Sequence, residues 1–167
     1  MSDYAEELHK VVGTFPIVEM TPVVYLTDPQ GNLLLVRSRS RCYWELPGGV
    51  MVPGESISAC VRRSIYSSLG ILIESCVPIK VFTELSDGYS SEDAANVFPC
   101  YIGFLPTKVS GSFKPQTERT QEIRFFATWN IKKEKIFPLN WGPVNFYIQN
   151  FPGGAPLRSL DLERYSD

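Results

Sequence analysis

The chain has 167 residues, 44% of them hydrophobic and 20% charged, enough apolar content for one globular domain with a packed core and too much for a disordered chain. Lysine and arginine number 16 against 18 acidic residues, a net charge of -2 with no long basic run. A nucleic-acid polymer is therefore not the expected partner, whereas a small nucleotide is compatible with this balance. Cys42, Cys60, Cys76 and Cys100 form no C-x-x-C pair and read as free buried thiols, not as zinc or redox ligands.

In chain order, Tyr4, Leu8, Val11 and Val12 fall at helical spacing ahead of Gly13, which predicts a short helix over 3–12. His9 lies in this polar segment with no second histidine or cysteine at ligand spacing and is expected in solvent. The opening residues carry no charged leader before an apolar run, and no apolar stretch approaches the ~18 residues of a membrane span. The expected location is cytoplasmic, without a membrane partner. The runs TPVVYLTD and NLLLVRSR, separated by PQGN, predict two antiparallel strands joined by a hairpin turn. CYWELPGG then enters a glycine- and proline-rich loop over 46–55. The segment after it predicts a helix over 56–69, with Ser56 at its cap and Gly70 just past its end.

VPIKVFTEL, NVFPCYIGFLP and EIRFFATW predict further strands, with polar connections between them. GPVNFYIQNF predicts a last helix with Pro143 in its first turn. Residues 152–167 have too little periodicity to assign and are expected to form a partly ordered arm. No repeat or linker divides residues 1–167, so one α+β domain is expected.

A glycine-rich loop leading into a helix N-terminus is a generic anion site, because backbone N–H groups and the helix dipole both favour negative charge. The spacing sharpens this reading. Gly49 is followed after five residues by Glu55, after seven more by Arg63, and then by apolar Ile65, Gly70 and apolar Ile71. The pattern over 49–71 resembles the Nudix box, G-x5-E-x7-R-E-U-x-E-E-x-G-U, where U is apolar. LLLVRSR and the W-x-LPGG of Trp44 to Gly49 before it, and the E-x-RFF of Glu122 to Phe126 after it, are similar to bacterial MutT/Nudix proteins. The resemblance runs from Asp3 to Ile131. It implies a Nudix fold, a mixed β-sheet sandwiched between α-helices, and hydrolysis of a nucleoside diphosphate linked to another group. It also implies Mg²⁺ or Mn²⁺ held by carboxylates of the box helix.

At the three box positions where the family carries those glutamates, this chain has Ser64, Ser67 and Ser68. They are spaced i, i+3 and i+4, so they share one helix face, joined by Cys60. Val61, Ile65 and Leu69 form a separate stripe that faces the core. A serine hydroxyl is a neutral oxygen that does not repay dehydration of Mg²⁺. The metal is therefore expected to bind weakly or not at all by the usual box ligands, and pyrophosphohydrolase activity is expected to be lost or strongly reduced.

Glu55 and Arg63 keep their box positions as candidate catalytic residues, and Glu118 and Glu122 are acidic residues near the last core strand that could replace the missing ligands. Asp87, Glu92 and Asp93 occupy another loop that could close over the site. Gly48, Gly49, Ser64, Ser67, Ser68 and Tyr89 are the candidate ligand-facing residues, with Tyr89 offering a stacking face for a base. Trp44 and Phe82 read as core, and Tyr43 as a sheet-edge aromatic. Three functions follow: a binder of a nucleotide-like metabolite, an active hydrolase using Glu55, Glu118 and Glu122, or an interaction protein with a vestigial site. A second copy of the chain, met through the N-terminal helix and first strands, is a further candidate partner.

Overall fold

The computed structural model describes residues 3–38, 42–83, 96–113 and 120–153. Helix α1 spans Asp3–Val12 and stops where the Gly13 amide bonds to the His9 carbonyl at 2.9 Å with φ of +67°. Strands β1 (Ile17–Val24), β2 (Leu33–Ser38) and β3 (Trp44–Glu45) precede helix α2 (Ile57–Leu69). Strands β4 (Ile71–Phe82), β5 (Val97–Gly111) and β6 (Thr120–Phe126) follow, then three single 3₁₀ turns and helix α3 (Trp141–Asn150).

The helix predicted over 56–69 forms as its caps require. Ser56 Oγ accepts the Ala59 amide at 3.2 Å, and Gly70 closes the other end at φ +76° with its amide on the Tyr66 carbonyl. Pro143 sits in the first turn of α3, where a missing N–H costs nothing. The first two strands depart from expectation. They do not make one hairpin sheet: β1 pairs in parallel with β5, while β2 pairs antiparallel with β3 and β6. The turn at 28–32 still forms, tied by the Asn32 amide on Asp28 Oδ1 at 2.8 Å and a bridge from Thr27 to Leu33. Beyond that bridge the chain crosses from one sheet to the other. The sheets are ordered β1-β5-β4 and β3-β2-β6.

Two apolar clusters hold the layers together. One gathers Val24, Leu26, Leu34, Val36, Ile102 and Phe104 beneath Val61, Ile65 and Leu69 of α2. All three α2 residues are fully buried, each worth on the order of 1.5–3 kcal/mol. The other gathers Val23, Tyr25, Leu35, Trp44, Leu46 and Tyr101 beneath Val144 and Tyr147 of α3. Both clusters draw on both sheets, so the sheets lie between α2 on one side and α3 on the other. Trp44 and Phe82 are core residues, as expected. His9 is half-buried, not solvated: its Nε2 is shielded from water and has no hydrogen-bond partner among the described residues. Cys42 is exposed, and only Cys60 is fully buried.

The close approach of the glycine loop to the sheet makes a prediction. A Cβ on Gly48 would stand 2.3 Å from the Pro22 carbonyl oxygen, whereas one on Gly142 would meet nothing within 4 Å. Gly48→Ala is expected to cost about 1–3 kcal/mol through forced backbone movement, while Gly142→Ala in α3 gains up to about 0.5–1 kcal/mol. Urea unfolding of both variants checks this, and equal effects would contradict it.

Candidate functional site

Loop 46–55 is fastened along β1 by its own backbone. The Val24 amide bonds to the Pro47 carbonyl at 2.9 Å, Gly49 to Pro22 at 3.2 Å and Met51 to Met20 at 2.9 Å. The start of the loop is held from the far side of the molecule, where the Leu46 amide donates to Asn140 Oδ1 at 2.7 Å. Sequence reading passed over Asn140. Its signal was a polar residue inside the apolar run IFPLNW, and the structure buries it to 2% exposure.

Glu55 closes the loop on itself and onto α2. Its Oε1 accepts the Val52 amide at 2.8 Å and Arg63 Nη2 at 2.7 Å, and its Oε2 accepts Arg63 Nε at 3.0 Å. The paired contact is the fork geometry that makes arginine–carboxylate bonds strong. Arg63 Nη2 also reaches the Val50 carbonyl at 3.0 Å. The Arg63 hydrogen bonds hold the Glu55 carboxyl down to about 2 against the opposing effect of burial, with the Val52 amide assisting. The same bonds raise Arg63 above its ordinary value. Cys60 lies beside them, its thiol donating to the Gly49 carbonyl at 3.5 Å. Burial, reinforced by the Glu55 charge, pushes that thiol up to about 11, so it is a neutral, unreactive group at pH 7.

The serine face packs inward at its centre and opens only at its end. Ser64 is buried, Ser68 half-buried and Ser67 exposed. A Cβ on Gly49 would stand 2.7 Å from Ser64 Cβ, so loop and helix touch here. Each hydroxyl turns back onto the helix: Ser64 donates to Val61 O at 3.2 Å, Ser67 to Ser64 O at 3.1 Å and Ser68 to Ser64 O at 2.8 Å. Such back-bonding satisfies the donors locally. It leaves Glu55, already bound to Arg63, as the one carboxylate among these box positions, which is not the hard-oxygen set that Mg²⁺ or Mn²⁺ takes. Among the described residues, no three His, Cys, Asp or Glu side chains stand together as a metal-holding group.

Glu122 is not brought to this face. It pairs with Arg37 across β2 and β6, its Oε2 2.5 Å from Arg37 Nη2 and its Oε1 2.5 Å from Arg124 Nη2. Both guanidinium groups lie over the Trp44 ring, at 5.3 and 5.5 Å. Ile123 and Phe125, which alternate with Glu122 and Arg124, pack into the α2 cluster. Glu122 therefore lies on the opposite side of its sheet from α2. Glu118, Tyr89, Asp87, Glu92 and Asp93 lie outside the described residues. Tyr43 is 40% exposed and tilts against Phe137 at 6.3 Å.

Two helix-covered three-stranded sheets with a clamped glycine loop before α2 define a Nudix-type fold. The NUDIX domain family model matches residues 19–147, and the chain belongs to the Nudix family. Its fold is similar to a MutT Nudix hydrolase from Burkholderia pseudomallei, with a TM-score of 0.64, 20% identity, and coverage of 77% of this chain and 97% of the other. It is also similar to a MutT protein from Methanosarcina mazei Go1, with a TM-score of 0.60, 18% identity, and coverage of 81% and 95%. A mutator MutT protein from Bacillus halodurans superposes with a TM-score of 0.58 at 20% identity, covering 84% and 83%. No curated protein matches the chain in sequence. Among the described residues, no helix is long and apolar enough to cross a membrane.

The Glu55 clamp has a pH signature. Its carboxyl falls from 4.5 to about 2 on folding, so the stability it contributes is fully present above pH 4.5 and is lost as the pH drops toward 2. The stability difference between the native chain and Glu55→Gln should narrow across that window in urea titrations. A difference that stays constant from neutral pH through the window would contradict the clamp.

Proposed function

We propose that this chain, as one Nudix domain, binds a nucleoside-diphosphate-type metabolite and holds it with little or no metal-dependent hydrolysis. The observation that carries the reading is the state of the box helix. All three glutamate positions are serine, every serine hydroxyl bonds to the helix's own carbonyls, and Glu55 is occupied by Arg63.

The chemistry follows from charge. An active family member sets an anionic substrate beside clustered carboxylates, and a divalent cation offsets the repulsion. When bound, that cation supplies an activated water and charge stabilisation worth several kcal/mol. Here the face offers neutral hydroxyls and a thiol, with Arg63 46% exposed beside them. A diphosphate can approach such a face without a cation between them. Gly48 and Gly49 shape the loop by letting it pack on β1 and on Ser64, the open end of the face lies at Ser67 and Ser68, whose hydroxyls would have to turn from the Ser64 carbonyl to donate to a phosphate, and Tyr89 is the candidate stacking surface for the base. Loss of the metal's contribution costs orders of magnitude in rate, so residual turnover near background is expected.

The test restores what the helix lacks. The Ser64→Glu/Ser67→Glu/Ser68→Glu variant should gain Mg²⁺-dependent cleavage of nucleoside diphosphate derivatives by at least about a hundredfold over the native chain, about 2.7 kcal/mol in barrier. Without metal it should melt lower, because a carboxylate at buried position 64 is desolvated and repelled by its neighbours. Mg²⁺ should raise that melting temperature again. Fast Mg²⁺-dependent turnover by the native chain, unaltered by the triple change, would overturn the proposal.

A further inference from the structure

A second feature lies on the far side of the β3-β2-β6 sheet from α2. Leu35, Trp44, Phe126, Ile131 and Ile136 line a hollow of about 80 Å³, and Asn130, Lys132 and Lys135 complete its lining. That volume is well below the ~150 Å³ of a cavity that takes a benzene ring, and further below the ~300 Å³ at which small-molecule pockets begin. It suits one aliphatic side chain. Trp129, the residue before Asn130, is 86% exposed, more than any other large apolar side chain among the described residues. An indole so bare beside a pocket of side-chain size is the pairing that protein interfaces concentrate.

The surroundings of the hollow are cationic in a chain whose net charge is -2. Arg37 and Arg124 lie over the Trp44 ring at 5.3 and 5.5 Å, and both pair with the same acid, Glu122. The run Lys132-Lys133-Glu134-Lys135 adds three lysines and one acid. Lys133 stands over the Trp141 ring at 5.9 Å. Lys132 and Lys135 are exposed, and no ion pair engages either of them among the described residues. Two unmatched ammonium groups therefore flank an apolar hollow.

We propose that this face docks an acidic segment of another protein: one aliphatic side chain of the segment fills the hollow, carboxylates beside it meet Lys132 and Lys135, and Trp129 packs on the segment. Lysine stems lie along apolar surface while their ammonium groups reach past it, so the same two residues complete the hollow and receive the acids. Charge selects the occupant. A basic segment would be repelled at the rim, and a neutral one would leave both ammonium groups unmatched. A flat layer of anionic lipid headgroups would meet the lysines and Trp129 without filling the hollow.

The test titrates the full chain with the peptide acetyl-Glu-Asp-Leu-Glu-Glu-amide and follows methyl and indole NMR signals. The Ile131 and Ile136 methyl resonances and the Trp44 and Trp129 indole signals should shift saturably, while Val61 and Ile65, in the α2 cluster, stay in place. Replacing the peptide's leucine by alanine, or its acids by their amides, should weaken binding at least about tenfold. Lys132→Ser/Lys135→Ser in the full chain should weaken the acidic peptide at least about fivefold and remove most of its salt dependence, and Trp129→Ala should weaken it without changing that dependence. No saturation below about 10 mM peptide, or equal binding of all three peptides, would overturn the proposal. So would sedimentation of the chain with phosphatidylserine vesicles, dependent on Lys132 and Lys135, in the absence of any response to peptide, since the face would then belong to a membrane.

Discussion

The fork between Arg63 and Glu55 is the interaction on which the site's geometry depends. It ties the end of the glycine loop to the second turn of α2, and through the Val50 carbonyl it also ties the middle. The other border of the loop is the edge of β1, where close backbone approach excludes any side chain at position 48. A loop held on both borders keeps its shape without a ligand. The clamp is made by Arg63, Glu55 and the Val50 carbonyl and draws on none of the three box positions that carry serine. This explains how the fold persists although the box positions that would bind metal have changed.

Serine at three positions on one face has a further physical consequence. Glutamates spaced i, i+3 and i+4 repel one another unless a cation sits among them, and a buried carboxylate without a partner is costly. Ser64, Ser67 and Ser68 remove that demand and satisfy their hydroxyls on carbonyls of the preceding turn. The helix is then stable on its own stripe of Val61, Ile65 and Leu69. On this helix, stability needs no cation among the box positions.

Much of this was legible in the sequence, where the signal is local. Ser56, Gly70 and the apolar stripe of α2 each act within a few residues, and helix, caps and core face all form as spacing predicts. The pairing of β1 with β5 was not legible, because a parallel partner more than seventy residues away leaves no mark in either strand. The hairpin turn at 28–32 forms with short antiparallel contacts beside it, but the two strands it joins take their main partners from different sheets. The fate of Glu122 was half legible: alternation in EIRFF puts Glu122 and Arg124 on one face, but only tertiary packing reveals that α2 covers the other. Asn140 and Cys60 bond to backbone outside their own elements, at Leu46 and Gly49, which periodicity does not encode.

The central claim is that an anionic ligand meets this site without a metal between them. Calorimetric titration of the native full chain with ADP-ribose and a panel of nucleoside diphosphates, once in EDTA and once in millimolar Mg²⁺, measures it directly. The account predicts saturable binding of at least one ligand, with dissociation constants in the two conditions agreeing to within about threefold, less than roughly 0.7 kcal/mol. Binding that appears only with Mg²⁺, or tightens more than about tenfold with it, would contradict the account and return the site to metal-dependent chemistry.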